Sequence, residues 1–250
     1  MRKYDHLFFD LDHTLWDFET NSKLAMKEVV NQLKLKAIID DFESFFDYYE
    51  NVNAQLWEAY RNQGISKPEL IKKRFKDSLE YFNIEGIDPV EMNELYLQLM
   101  PLQTKLFPGA IETLDYLKGK GYQMYIITNG FSEVQHKKIE SSGLQPYFSR
   151  VFISEEIKFP KPDIRIFQHA LKTCNAKKSR SIMIGDSWDS DIIGAINTGI
   201  SQVAITNNGE NKTLPPRKEW GMKEKGHFQK DTPQFKTYIV PNLVYLTKLF

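Results

Sequence analysis

Two carboxylates stand two positions apart near the start of the chain, in the run Asp10-Leu11-Asp12-His13-Thr14. Alternate residues of an extended segment point the same way, so Asp10 and Asp12 can reach one site. Such a pair allows a division of labour. One carboxylate can stay ionised beside a metal ion and attack as a nucleophile, while its like-charged neighbour keeps a proton and serves as acid and then as base. The alternative is an ordinary strand end followed by a turn, since the motif is short.

A second candidate group, Thr128-Asn129-Gly130, follows an apolar run that is typical of a buried strand. A hydroxyl, an amide and the backbone N–H of a flexible glycine can together cradle a phosphoryl group. A strand-to-helix turn built from common turn residues is the competing interpretation.

A lysine that can balance phosphate charge stands at position 161, directly before Pro162. Proline is favoured in the first turn of a helix, so we expect Pro162 to start a helix and to hold Lys161 at the site as a compact positive charge. Lys158 is the rival for this role, and a solvated surface lysine is the plain alternative. We prefer Lys161 because it adjoins the proline and the helix.

Three further carboxylates, Asp186, Asp189 and Asp191, fall within six residues after the strand-like segment 181–185. Magnesium prefers oxygen ligands and usually keeps water molecules beside one or two carboxylates. Acidic residues are also favoured at a helix N-terminus, which accounts for Asp189 but accounts less well for Asp186. This segment therefore predicts a metal site that uses Asp186 and Asp191.

The elements that must position these groups alternate between extended and helical patterns beyond Pro108. Strands are predicted at 123–128, 150–154, 181–185, 202–205 and 237–240, and helices at 109–119, 132–142, 163–174, 189–198 and 241–250. This alternation predicts a doubly wound, Rossmann-like α/β fold with a parallel sheet, which the apolar run 4–10 must join. The candidate groups would then share the sheet edge at which open α/β sheets bind ligands. We expect a long loop over 207–236.

Residues 20–105 carry a different pattern, with apolar residues at helical spacing and no strand. Four amphipathic stripes predict four helices, which favours a small helical bundle inserted into the sheet domain. We therefore predict a catalytic core formed by residues 1–15 and 106–250 and a helical cap domain formed by residues 16–105.

The composition sets limits on partners and location. Lys plus Arg equals Asp plus Glu at 33 each, which argues against nucleic acid polymers as partners but leaves small anionic ligands open. The single cysteine, Cys174, cannot form an internal disulfide, so we expect a cytoplasmic location. We expect neither a signal peptide nor a membrane span, because Asp10 and Asp12 interrupt the first apolar run and no apolar run reaches 18 residues.

With D-x-D-x-T, T-N-G, K-P and G-D-S-x-x-x-D in this order, residues 4–205 resemble the haloacid dehalogenase-like hydrolase superfamily. The resemblance implies that Asp10 is the nucleophile and Asp12 the general acid and base. It implies that Thr128 and Lys161 bind the phosphoryl group, with Asn129 beside them. It also implies a Mg²⁺ ion held by the Asp10 carboxylate, the Asp12 backbone carbonyl and Asp186, with Asp191 as an outer carboxylate. One departure is His13, where many members have glycine.

The second carboxylate bears on the reaction class, because dehalogenases of this superfamily lack it and need no metal. Asp12 therefore favours a phosphatase or a phosphomutase. The insert resembles the four-helix cap of the superfamily, and residues 53–60 with Arg74-Phe75 resemble a branch that hydrolyses pyrimidine nucleoside 5′-monophosphates. Trp16, Phe18 and Arg74 are our candidates for substrate specificity, although Trp16 and Phe18 can equally pack the two domains together and Arg74 can be a plain surface arginine.

A small phosphorylated metabolite, most specifically a nucleoside monophosphate, is thus the expected partner. A phosphatase of sugar phosphates, a phosphomutase and a catalytically silent phosphate-binding protein remain as alternatives. Whether the protein is a monomer or a homodimer is left open.

Overall fold

The computed structural model describes residues 2–207, 222–223, 227–231 and 235–250. The chain divides into two compact units. One contains Met1–Phe18 and Lys105–Phe250 and is built around a β-sheet, and the other contains Glu19–Thr104 and is helical.

The sheet unit contains eight described strands in the order β3-β2-β1-β4-β5-β8-β7-β6. They are β1 (His6–Phe9), β2 (Gln123–Thr128), β3 (Arg150–Ile153), β4 (Ser181–Gly185), β5 (Ser201–Ile205), β6 (Met222–Lys223), β7 (His227–Asp231) and β8 (Lys236–Val240). The first six strands in the spatial order are parallel, and only the edge strands β7 and β6 are antiparallel. The predicted parallel α/β fold is confirmed.

Burial explains why the central strands read as continuous apolar runs. Leu7, Phe8 and Phe9 of β1 are all fully buried, as are all five residues of β4. A parallel sheet is covered on both faces, so its strands have no polar face to alternate with. On one face, Phe8 and Met183 share a cluster with Phe167.

Ten α-helices are described along the chain. They are α1 (Phe18–Gln32), α2 (Phe42–Arg61), α3 (Lys67–Tyr81), α4 (Pro89–Leu99), α5 (Ala110–Gly119), α6 (Ser132–Ser141), α7 (Ser154–Ile157), α8 (Ile164–Thr173), α9 (Ile193–Thr198) and α10 (Leu246–Leu249). A π-helical turn, Trp188–Ile192, precedes α9, and Pro162 lies two residues before α8 rather than in its first turn. The chain ends in a 3₁₀ turn, Leu243–Tyr245, and the short α10 instead of one long helix.

The expectation of a long loop over 207–236 is wrong for its described part. Strand β7 pairs antiparallel with β8, and β6 pairs with β7. Residues 208–221, 224–226 and 232–234 of this segment lie outside the described residues.

The helical unit is formed by α1 from Glu19 onward and by α2–α4. Local sequence sets where these helices begin. Asp41 and Asp88 accept N-terminal N–H groups of α2 and α4, and Ser66 forms a reciprocal capping box with Glu69 at the start of α3. Within the described part of the chain, no helix combines the length and apolar character that crossing a membrane requires.

Candidate active site

Asp10 lies directly after β1, at the middle of the parallel sheet. It is 7% exposed, and its backbone N–H donates to Ile184 O of β4 at 2.8 Å. The chain then turns back tightly, since the N–H groups of Leu15 and Trp16 both donate to Leu11 O. His13 in this turn has φ = 60°, a left-handed conformation that glycine adopts without strain. This conformation explains how glycine suits the position in many members of the resembled superfamily.

A buried ammonium group, that of Lys161, faces Asp10. Its Nζ donates to Asp10 Oδ1 at 2.6 Å, to Asp191 Oδ1 at 2.6 Å and to Ile127 O at 2.8 Å, which uses all three of its hydrogens. Burial disfavours its charge, but Asp10 and Asp191 together raise the pKa of Lys161 above its usual value. The rival Lys158 is exposed. The structure thus brings Lys161, rather than Lys158, to the nucleophile candidate.

Carboxylate oxygens of Asp10, Asp186 and Asp191 lie within 4.8 Å of one another. Burial raises the pKa of Asp10 to about 7, with Asp191 and Asp12 adding to the effect and Lys161 opposing it. Burial and the nearby Asp10 likewise raise the pKa of Asp186 to about 6, and burial raises the pKa of Asp191. Negative charge is therefore crowded at this point of the sheet.

These residues fit a divalent cation. Three buried or half-buried carboxylates face one ammonium group, so the cluster carries an excess of negative charge in a place where water is scarce. All donor atoms are oxygens, which hard cations such as Mg²⁺ prefer. Thr14 supports the arrangement, since its Oγ1 donates to Asp186 Oδ1 at 2.8 Å.

The Asp12 carboxylate points to a different set of partners. Its Oδ1 accepts from Lys138 Nζ at 2.6 Å, and its Oδ2 accepts from Gln135 Nε2 at 2.9 Å. The same Gln135 nitrogen donates to Thr128 Oγ1 at 2.7 Å. Asp12 is therefore tied to the predicted phosphate-binding hydroxyl of Thr128 through one amide group.

The side chain of Asn129 hydrogen-bonds to the backbone of Lys161. Its Oδ1 accepts from the Lys161 backbone N–H at 2.9 Å, and its Nδ2 donates to Lys161 O at 3.0 Å. The oxygen and the nitrogen of the Asn129 amide thus both hydrogen-bond to the backbone of Lys161. These two bonds hold Lys161 in place, and the role of Asn129 in phosphate binding stays a prediction.

The three specificity candidates have different surroundings. Trp16 is fully buried, whereas Phe18 is half-buried. Arg74 lies in the helical unit and is 2% exposed, so the expectation of a plain surface arginine is wrong. Its guanidinium donates to Asn93 Oδ1 and Asn53 Oδ1. The roles of Trp16, Phe18 and Arg74 in specificity stay predictions.

Lys138 and Gln135 are functional candidates that were not predicted from the sequence. Both lie on the buried face of α6, together with Val134 and Ile139. The sequence does contain an indication of these two residues. They are polar, lie three positions apart and fall on the face of an amphipathic helix that is normally apolar. A buried lysine is rare without a paired charge, so such a position indicates an anion nearby.

A family model of haloacid dehalogenase-like hydrolases matches residues 4–199. Pyrimidine 5′-nucleotidase YjjG from Escherichia coli is 36% identical over 200 residues, which are 80% of this chain and 84% of that protein. Glyceraldehyde 3-phosphate phosphatase from Methanothermobacter thermautotrophicus is 32% identical, over 80% of this chain and 84% of that protein. The chain belongs to the haloacid dehalogenase-like hydrolase family, and the family resemblance inferred from its four motifs is confirmed.

The same fold occurs in a solved structure of the HAD-hydrolase YfnB from Bacillus subtilis bound to magnesium. The two chains superpose with a TM-score of 0.80 and 24% sequence identity, over 99% of each chain. At this identity the likeness shows a shared fold.

Proposed function

We propose that this protein is a magnesium-dependent phosphatase that forms a phospho-aspartate on Asp10. One observation carries the proposal: Asp10, bound by the Lys161 ammonium and grouped with Asp186 and Asp191, has a second carboxylate, Asp12, two residues away. A nucleophile, a cation and a separate acid-base group are the parts that transfer of a phosphoryl group through a covalent intermediate needs.

The reaction consists of two displacements. A carboxylate oxygen of Asp10 attacks phosphorus, the bond from phosphorus to the ester oxygen breaks, and Asp12 gives a proton to the departing oxygen. Asp12 then takes a proton from a water molecule, whose oxygen attacks phosphorus while the Asp10–phosphorus bond breaks. Inorganic phosphate leaves, and both carboxyl groups return to their first state.

Other side chains stabilise charge along this path. Lys161 offsets the negative charge that builds up around phosphorus. Thr128 Oγ1 accepts a hydrogen bond from Gln135, so its own O–H hydrogen is available to a phosphoryl oxygen.

Asp10 and Asp186 would hold the magnesium ion, which when bound neutralises phosphoryl charge as a Lewis acid. Asp191 stands behind them in this proposal, because both of its oxygens already accept hydrogen bonds, from Lys161 Nζ and from Ser187 N.

For the substrate we propose nucleoside 5′-monophosphates, with pyrimidines preferred. The support is the 36% identity to the pyrimidine 5′-nucleotidase YjjG over most of both chains. Small sugar-type phosphates are the second candidate, because the glyceraldehyde 3-phosphate phosphatase is also similar along the same length of chain.

The test is phosphate release from nucleoside monophosphates, sugar phosphates and small phosphoesters, with and without Mg²⁺. Magnesium-dependent release that is fastest on pyrimidine monophosphates is the expected result. Asp10→Asn should abolish release while leaving thermal unfolding close to that of the wild type. Turnover retained by Asp10→Asn would contradict the mechanism. Faster release from sugar phosphates than from pyrimidine monophosphates would be consistent with the mechanism but would contradict the proposed substrate.

A further inference from the structure

Lys138 is buried beside Asp12, the proposed acid-base group. It is 1% exposed, and its Nζ lies 2.6 Å from Asp12 Oδ1. The ring centroids of Trp16 and Phe18 lie 4.3 and 5.2 Å from the same nitrogen. Among the described residues, Asp12 supplies the one hydrogen bond and the one ion pair of this ammonium group.

Burial of a lysine ammonium group is energetically unfavourable unless an opposite charge lies beside it. Burial lowers the pKa of Lys138, while Asp12 favours its charged form. Aromatic faces attract a cation and at the same time prevent its ammonium from swinging away toward water. The two rings therefore confine the ammonium group to the position from which it meets Asp12.

Gln135 fixes the second oxygen of the same carboxylate. The amide nitrogen of Gln135, rather than its oxygen, faces the carboxyl group and donates to Asp12 Oδ2 at 2.9 Å. The remaining hydrogen of that nitrogen is donated to Thr128 Oγ1. The amide nitrogen of Gln135 thus bridges Asp12 and Thr128, and it is the donor in both hydrogen bonds.

The space for this bridge depends on Gly130. A Cβ atom at that position would lie 2.7 Å from Cδ and 3.0 Å from Nε2 of Gln135. Such distances are too short for non-bonded atoms, so a larger residue would displace the amide. The glycine of the T-N-G motif lets Gln135 reach Asp12.

We propose that Lys138 and Gln135 are positioning residues that hold the Asp12 carboxyl group in place for proton transfer to the leaving group. The inference rests on the proposed phosphatase function. One oxygen of Asp12 accepts from Lys138 and the other from Gln135. These two hydrogen bonds restrict rotation of the carboxyl group about the Cβ–Cγ bond. Proton transfer depends on such alignment, and residues that orient catalytic groups commonly contribute about 10- to 100-fold.

The leaving group distinguishes this role from a general loss of structure. An alkoxide leaving from a nucleoside monophosphate needs the proton of Asp12, whereas the nitrophenolate of p-nitrophenyl phosphate departs without one. Lys138→Met should therefore lower kcat about 10- to 100-fold on the nucleoside monophosphate and less than about threefold on p-nitrophenyl phosphate. KM for both substrates should stay within about threefold of the wild type.

Matched variants sharpen the comparison. Lys138→Arg, which restores the cation, should recover most of the lost kcat, and Lys137→Met, at the exposed neighbouring lysine, should leave both substrates unaffected. In an Asp12→Asn background, Lys138→Met should lower kcat by less than about twofold, because residues that act through each other are not additive. Thermal unfolding is measured for each variant, and Lys138→Gln replaces Lys138→Met if the latter does not fold.

An equal loss on both substrates, or a full additional loss in the Asp12→Asn background, would overturn the positioning role. So would an unchanged kcat in Lys138→Met. If the wild type prefers sugar phosphates, a sugar phosphate takes the place of the nucleotide in the same comparison. No release by the wild type from any phosphoester would instead remove the phosphatase proposal, and this one with it.

Discussion

Lys161 is the residue on which the charge balance of the site depends. Its ammonium bonds to Asp10 and Asp191 at 2.6 Å each, in a place where all three side chains are buried. Removing one member of a buried ion pair typically costs about 3–5 kcal/mol, because the other charge stays buried alone. The position of the nucleophile candidate Asp10 therefore depends on Asp191, through the lysine between them.

Gly185→Ala tests this dependence. An added Cβ would lie 2.2 Å from Asp191 Oδ2 and 2.5 Å from its Cγ, so the carboxylate must move. We expect kcat for phosphate release to fall about 10- to 100-fold, and the free energy of unfolding to fall by about 1–3 kcal/mol from overpacking. Gly119→Ala is the control, since nothing lies within 4 Å of its added Cβ. A Gly185→Ala enzyme with wild-type kcat would show that Asp191 does not position Asp10.

At the scale of elements, the sheet order explains how distant residues meet. Strand β1 lies between β2 and β4, and all three run parallel. Asp10, Thr128 and Asp186 stand at the ends of these strands and so share one edge of the sheet. This convergence could be predicted from the sequence, because strand ends and parallel order can both be inferred from alternating patterns.

The structural features that could not be predicted from the sequence depend on contacts between elements. Strand β7, His227–Asp231, has the sequence HFQKD and shows no strong apolar pattern, so its strand character comes from pairing with β8 at the sheet edge. Lys138 and Gln135 were missed for a similar reason. A pattern shows that a helix has a buried face, but it does not show which carboxylate that face will meet.

In the helical unit, residues of α1 surround a half-buried carboxyl group of α2, that of Glu50. Burial, with Glu19 nearby, raises the pKa of Glu50 from its ordinary 4.5 to about 7, while Ser22 opposes the shift through a hydrogen bond. At a pH between these two pKa values, Glu50 is protonated in the folded state and ionised in the unfolded state. The free energy of unfolding therefore falls because of Glu50 as pH rises from about 4.5 to 7. Above that range the contribution of Glu50 stays unfavourable.

Glu50→Gln should consequently stabilise the protein at pH 8, by about 1–3 kcal/mol in the free energy of unfolding. The gain should shrink as pH falls from 7 toward 5, because the glutamate of the wild type then becomes neutral too. Denaturant unfolding at several pH values measures the difference, and Glu58→Gln, at an exposed position of α2, is the control. A gain of the same size at pH 5 and pH 8 would contradict the buried-carboxyl explanation.

At the scale of the whole molecule, a formal net charge of zero coexists with a local excess of negative charge. All residues with proposed catalytic roles lie in the sheet unit, which is assembled from two separate stretches of chain. The repulsion within the cluster of Asp10, Asp186 and Asp191 therefore acts against the joining of those stretches. A bound cation should relieve this repulsion and so stabilise the folded unit.

Thermal unfolding with and without Mg²⁺ measures this coupling apart from any activity. At about 100 times its Kd, a ligand specific to the folded state stabilises by about 2.7 kcal/mol, or roughly 5–10 °C in Tm for a chain of this size. Asp186→Asn should unfold at a higher Tm than the wild type without Mg²⁺, because one buried charge is gone, and should gain little from the ion. Asp189→Asn, at an exposed carboxylate three residues away, should respond as the wild type does. An Asp186→Asn protein that gains as much Tm from Mg²⁺ as the wild type would place the ion elsewhere.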